Sequence, residues 1–83
     1  MAEQEVGKVA HFFGKISVGM VRLSGPLKVG DSIKVKTGSG EFTQTVDSMQ
    51  VDRVSVTEAV AGAEVGMKVA QPVKEGDTVF LVS

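Results

Sequence analysis

Few side chains in this sequence could take part in catalysis. His11 is the only histidine, there is no cysteine, and the ten carboxylates show no spacing that pairs two of them. Alternation along the chain predicts that His11 shares a strand face with Val9 and Phe13. This placement favours a hydrogen-bonded structural histidine over a catalytic base. The sequence therefore predicts that the chain is not an enzyme.

Metal and nucleotide sites lack the residues that they need. Zinc uses three or four nitrogen or sulfur ligands, which one histidine cannot supply. Two Gly-Asp pairs, Gly30-Asp31 and Gly76-Asp77, offer one carboxylate each, too few to hold Ca²⁺ or Mg²⁺. Residues 25–32 have the glycine spacing of a phosphate-binding P-loop, but Asp31 stands at the lysine position and would repel phosphate. We therefore expect no metal, no cofactor and no nucleotide bound by this chain alone.

Basic and aromatic residues offer a weak nucleic-acid signal. The net charge is −1, which excludes proteins that grip nucleic acid by charge alone. Four basic residues could still line one edge of a sheet, and one ring of an adjacent Phe pair must leave the core face, where it could stack on a base. Alternating lysines are also typical of a solvated strand that resists edge aggregation. The candidates for RNA contact are Arg22, Lys28, Lys34, Lys36, Phe12 and Phe13.

The composition predicts one all-β domain over residues 1–83. Of the 83 residues, 42% are apolar, and valine supplies 16 of them against three leucines. Branched side chains favour strands over helices. No uncharged run approaches the roughly 20 residues of a membrane helix, and the acidic start, Met1–Glu5, lacks the apolar stretch of a signal peptide. We expect a flexible N-terminus over residues 1–5 and a cytoplasmic location, without membrane contact.

Period-two alternation predicts six or seven short strands, which suit a sandwich or a barrel. Val54–Val60 is short and ambiguous, and a change of parity near Ser48 indicates a β-bulge. The other predicted strands are Val6–Phe13, Ile16–Leu23, Ser32–Thr37, Phe42–Val51, Glu64–Gln71 and Val79–Val82.

A repeated frame marks two of the turns between these strands. The segments Pro26–Ile33 and Pro72–Val79 both run from a proline, through Gly-Asp, into an apolar strand. The glycine is expected at positive φ, and the aspartate is expected to bond backbone N–H groups. Ala61-Gly62-Ala63 is a further predicted turn. The structural turn residues are Gly30, Asp31, Gly62, Gly76 and Asp77.

The order of these motifs resembles a known type of domain. The motifs are Val6–Val9, Val18–Val21, Leu27–Val35, Phe42–Met49 and Ala59–Met67. Together they look like the second, β-barrel domain of translational GTPases of the elongation factor Tu type, and like small stand-alone elongation factor-like proteins. A similar barrel ends a collagenase-like peptidase family. The resemblance covers Val6 to Val82.

The resemblance implies a closed six- or seven-stranded antiparallel barrel with Greek-key connections. In translation factors such a barrel binds ribosomal RNA or the aminoacyl end of tRNA, and it holds no catalytic residues. Gln50 stands where the tRNA-delivering factor has a glutamate near the terminal adenine, so that carboxylate is absent. The expected function is a stand-alone, non-catalytic binding module that contacts RNA or the translation apparatus, with tRNA, ribosomal RNA or a protein as its partner. The alternative is an accessory substrate-recognition or protein-interaction barrel that serves a peptidase-like or RNA-modifying enzyme in trans.

Overall fold

Within residues 3–38 and 40–82 the strands form one eight-stranded sheet and one two-stranded sheet. The computed structural model describes residues 3–38 and 40–82. In that part of the chain all regular elements are strands and all paired strands are antiparallel, which confirms the all-β prediction. No helix there is long and apolar enough to cross a membrane. The strands are β1 (Glu3–Phe13), β2 (Val18–Leu23), β3 (Leu27–Lys28), β4 (Ser32–Thr37), β5 (Gly40–Thr45), β6 (Met49–Val51), β7 (Val54–Val56), β8 (Glu58–Ala59), β9 (Glu64–Lys68) and β10 (Thr78–Val82).

The large sheet has the strand order β5-β4-β10-β1-β2-β9-β6-β7, and β3 pairs with β8 separately. The first and last strands of the large sheet, β5 and β7, are not partners, so a closed barrel is not confirmed. Strand β1 begins at Glu3, within the segment expected to be flexible, and Glu3 lies opposite Val82 of β10. Residues 1 and 2 lie outside the described part.

The side chain of Gln44 connects β5 to the end of β9, two strands that are not neighbours in the sheet order. The Gln44 amide on edge strand β5 donates from Nε2 to the Lys68 carbonyl at 2.9 Å, and its Oε1 accepts from the Ala70 N–H at 2.7 Å. A primary amide offers the same donor and acceptor as a backbone peptide group. Gln44 thus replaces one rung of a ladder between β5 and the end of β9.

The core is apolar throughout the described residues, with no buried polar or charged side chain among them. Its largest fully buried members are Leu27, Ile33, Met49 and Met67. Met49 lies directly opposite Met67, so β6 and β9 contribute paired side chains to the same layer. Since apolar burial supplies most of the stabilisation of a small domain without disulfides, these positions dominate its stability.

The side chains at the end of β1, residues 11–13, do not face the directions that the sequence predicted. Its register against β2 shifts between Val9 and His11, which marks a bulge at Ala10. The extra residue inverts the alternation, so Val9 is buried whereas His11 and Phe13 are exposed. Phe12 packs against the core instead. The prediction that Val9, His11 and Phe13 share one face was wrong for this reason.

Three turns use the same backbone arrangement, which we call the turn clamp. Each has a glycine at positive φ, with values of 97° at Gly30, 92° at Gly62 and 90° at Gly76. The glycine N–H donates to a buried residue of a distant segment, and the N–H of that residue donates back to the residue after the glycine, with all six distances 2.8 Å. The clamped pairs are Gly30 with Val46, Gly62 with Leu23, and Gly76 with Val9.

Aspartates reinforce two of the three clamps. Asp31 Oδ2 accepts from the Lys28 N–H at 2.9 Å, and Asp77 Oδ2 accepts from the Lys74 N–H at 2.8 Å. The third clamp has Ala63 at the corresponding position and therefore lacks this bond. The Pro-led repeat of the sequence thus corresponds to two turns with the same hydrogen bonds, and Gly62 adds a third that carries no aspartate.

Candidate functional site

The histidine lies on the surface, beside other exposed groups. His11 Nδ1 is 3.2 Å from Glu75 Oε1, and the ring of His11 meets that of Phe13 edge to face at 4.6 Å. More than half of each side chain of the His11–Glu75 pair is exposed. In the described residues no group of three or more His, Cys, Asp or Glu is placed to hold a metal.

Lys34 is engaged with acidic neighbours. Its Nζ contacts the Glu3 carboxylate and lies 3.8 Å from Glu41 Oε1. The hydrogen bond to Lys34 lowers the pKa of Glu3 below its ordinary value of 4.5, and the same bond raises the pKa of Lys34 above 10.5. A lysine held between two carboxylates is less available to a phosphate than the sequence alone indicated.

Pairing between neighbouring strands brings a different set of basic side chains onto one sheet face, and we call this set the basic row. Residues directly opposite one another share a sheet face, and Lys36 lies opposite Thr78, Thr78 opposite Lys8, and Lys8 opposite Arg22. Lys36 Nζ lies 5.0 Å from the centre of the Phe80 ring, and Arg22 Nη2 lies 3.6 Å from Glu64 Oε1. The basic row comprises Lys8, Arg22 and Lys36.

Two other predicted RNA contacts lie apart from the basic row. Lys28 is on β3, opposite Glu58 in the two-stranded sheet. Phe13, which is 44% exposed, is five residues along β1 from Lys8, or about 16 Å at about 3.3 Å per residue. Sequence reasoning missed Lys8, which only the pairing of β1 with β2 and β10 places beside the other cations.

An open groove of about 520 Å³ lies between two hairpin tips, on the outer face of β2 and β9. Val18, Met20 and Gly66 form its floor, and an added Cβ at Gly66 would stand 3.4 Å from both Val18 Cγ1 and Met20 Sδ. The missing side chain at Gly66 therefore leaves the depression open. Phe13 and Ile16 border it on the side of the β1–β2 turn.

Charged groups line the opposite rim of the groove. Asp52 and Arg53 form the two-residue turn between β6 and β7, and both have positive φ, at 51° and 66°. Positive φ at both central positions is typical of a type I′ hairpin, which usually employs Asn or Gly. An arginine there costs free energy, and such outliers concentrate at functional sites. Gln50 of β6 and Glu64 of β9 also line the groove.

The sequence allowed only one part of this groove, the outer face of β2, to be identified. Alternation correctly predicted that Val18 and Met20 share a strand face, but that face points outward, since Val21 and Leu23 are buried residues of β2. Ile16, predicted on the same strand, lies in the turn before it. The turn residues Gly30, Gly62, Gly76 and Asp77 do not line the groove. The opposite rim depends on β6, β7 and β9 meeting, which no local pattern shows.

Comparison with known proteins finds one relative in sequence and several similar solved structures. No family model matches the chain. Over 80 residues, covering 94% of this chain, it is 40% identical to an uncharacterized protease of Methanocaldococcus jannaschii. The chain spans 19% of the length of that relative.

Solved structures show the same fold. Two crystal structures of the C-terminal domain of a Geobacillus thermoleovorans protein assigned to the U32 peptidases are similar, each at 16% identity. One has a TM-score of 0.90 over 96% of this chain and 93% of that domain. Its selenomethionine variant has a TM-score of 0.87 over 92% and 96%.

These comparisons correct the resemblance drawn from the motif order. The similar proteins are a protease and the end domain of a U32 peptidase, not translational GTPases or elongation factor-like proteins. Glycine and aspartate before a strand serve the conformation of the turn, so these motifs do not by themselves indicate a function. The predicted resemblance to translation elongation factors was therefore wrong.

Proposed function

We propose that this chain is a non-catalytic accessory barrel that recognises substrate, or binds protein, on behalf of a peptidase-like enzyme. The observation that carries the proposal is the 40% identity of nearly the whole chain to one segment of a much longer protease. A segment that recurs as a compact fold with its own core is a module. The enzyme would supply the catalytic groups and this chain a binding surface.

The groove is the surface that best suits such a role. It combines an apolar floor with polar groups at the rim, as binding clefts commonly do. The finer prediction of a closed Greek-key barrel belongs to the same proposal, and its support is the Gln44 bridge between β5 and the end of β9. The cytoplasmic location also stays a prediction.

The test uses the M. jannaschii relative in two forms. One is the full-length protease, and the other lacks the segment that matches this chain. We expect this chain to form a complex with the shortened form, measured by light scattering after gel filtration, because the segment's docking surface is then vacant. The full-length form is the matched control and should bind at least tenfold more weakly. Equal or absent binding to both forms would contradict the proposal.

RNA contact is a second candidate function, independent of translation, and the basic row is the observation that favours it. Three cations on one face of adjoining strands could neutralise successive phosphates. Glu64 and Glu41 stand at either end of the row, opposite Arg22 and Lys36, so the local field is modest. Any such binding is therefore expected to be weak and to fall steeply with salt.

A further inference from the structure

The groove is bordered by two exposed apolar side chains on one hairpin, and a third, Val54, follows Arg53 on the opposite hairpin. Phe13 is 44% exposed and Ile16 is 62% exposed, and both stand beside the half-buried Val18 and Met20. Grouped apolar side chains of this kind mark interaction surfaces, whereas single ones are ordinary. Val60, which is 68% exposed, lies outside the groove and serves as a comparison.

The charges at the rim are of both signs and sit side by side. Asp52 and Arg53 are neighbours on one hairpin tip, and neither forms an ion pair with any residue in 3–38 or 40–82. A strongly acidic or strongly basic partner would meet one favourable and one unfavourable charge there. A partner that presents the same two charges in reverse order would satisfy both.

We propose that the occupant of the groove is a second copy of this chain, related by a two-fold axis. A two-fold interface uses the same patch on both copies, so each contact occurs twice. Ile16 of each copy enters the groove of the other, and Arg53 of each faces Asp52 of the other. The two-residue turn holds both charged side chains on a tight hairpin, which fixes their order in space.

The dimer is expected to be weak. Two hairpin tips and the floor between them form a small patch, so the interface falls among those that bury less than about 1,200 Å² in total. Its Kd is therefore expected in the micromolar range. This self-association goes beyond the proposed peptidase role and competes with it, because a second copy seated in the groove closes that surface to another protein.

Sedimentation equilibrium of the whole chain, over a concentration series from micromolar to submillimolar, tests the proposal. We expect a monomer–dimer equilibrium that Ile16→Glu abolishes and that Val60→Glu, its matched control, leaves within threefold of the unaltered chain. Circular dichroism and thermal melting of each variant verify the fold. A monomer at all concentrations, or equal effects of the two glutamates, would overturn the proposal.

Charge exchange gives the sharper test. Asp52→Arg alone and Arg53→Asp alone should each weaken the dimer at least tenfold, because like charges then face each other across the axis. Mixing the two single variants should restore association as a heterodimer, since every facing pair is again of opposite sign. If the mixture stays monomeric, the proposal fails.

The same variants identify another occupant. Should the chain be monomeric while Ile16→Glu prevents complex formation with the shortened protease, the groove binds the enzyme and the second-copy proposal is refuted. Should the dimer form while the protease is not bound, the proposal stands and the accessory role fails.

Discussion

The turn clamps predict a specific response to glycine substitution. Gly30→Val and Gly76→Val should each lower the free energy of unfolding by about 1–3 kcal/mol, because a β-branched residue resists positive φ. An added Cβ meets no heavy atom within 4 Å at either site, so the cost comes from the backbone and not from a clash. For a domain of this size each kcal/mol corresponds to about 4–8 °C in Tm.

Two controls isolate the backbone conformation. Gly38→Val places the same side chain in equally open space, at a glycine that is not among those with positive φ, and should change Tm little. Chemical synthesis with D-alanine at position 76 should preserve or raise Tm, because D-residues favour positive φ, whereas L-alanine should lower it. Thermal and urea unfolding measure both effects. If the valine variants melt within a degree or two of the unaltered chain, the glycines carry no conformational role and the reasoning is refuted.

Three other outcomes are expected. Gln44→Ala should destabilise the fold by about 1–3 kcal/mol, at about 0.5–1.5 kcal/mol for each of two lost bonds, and should speed hydrogen exchange at the Ala70 amide; unchanged exchange would show that the seam is held otherwise. The pKa of Glu3 is lowered in the folded state, so the stability that Glu3 contributes is present above its unfolded pKa and is lost as pH falls through its folded pKa. Glu3→Gln should therefore flatten the loss of Tm below about pH 5. An unaltered pH profile would contradict the pairing of Glu3 with Lys34. In fluorescence anisotropy at low salt, glutamate at all three positions of the basic row should abolish tRNA binding whereas Lys28→Glu should not; the reverse order would move the RNA surface to the two-stranded sheet.

Most of the strand layout could be predicted, because it depends on local alternation. Ser32–Thr37 was predicted to the residue, since Ile33 and Val35 alternate with lysines and turns bound the strand. Residues 42–51 were predicted as one strand. In the structure β5 ends at Thr45 and β6 begins at Met49, which pairs with a different strand, β9. A change of partner is a tertiary event that alternation registers only as a change of parity.

The candidate sites were harder to predict, because they depend on which strands are neighbours. The predicted basic set mixed residues of different sheets, and a single bulge at Ala10 exchanged the positions of Phe12 and Phe13 relative to the core. The groove needs the β1–β2 tip and the β6–β7 tip, which are more than 30 residues apart along the chain. Positive φ at Asp52 and Arg53 could not be expected either, since neither is glycine or asparagine.

The pairing of Glu3 with Val82 has a topological consequence. Directly opposite residues in antiparallel strands have their Cα atoms about 4.5–5.5 Å apart, so residues 3 and 82 lie side by side at one place on the fold. A host protein could carry this fold as an insertion in one of its loops, with both attachment points on adjacent strands. For the same reason a short peptide joining the two ends, with new ends opened in the 37–40 hairpin, should yield a circular permutant that keeps every clamp.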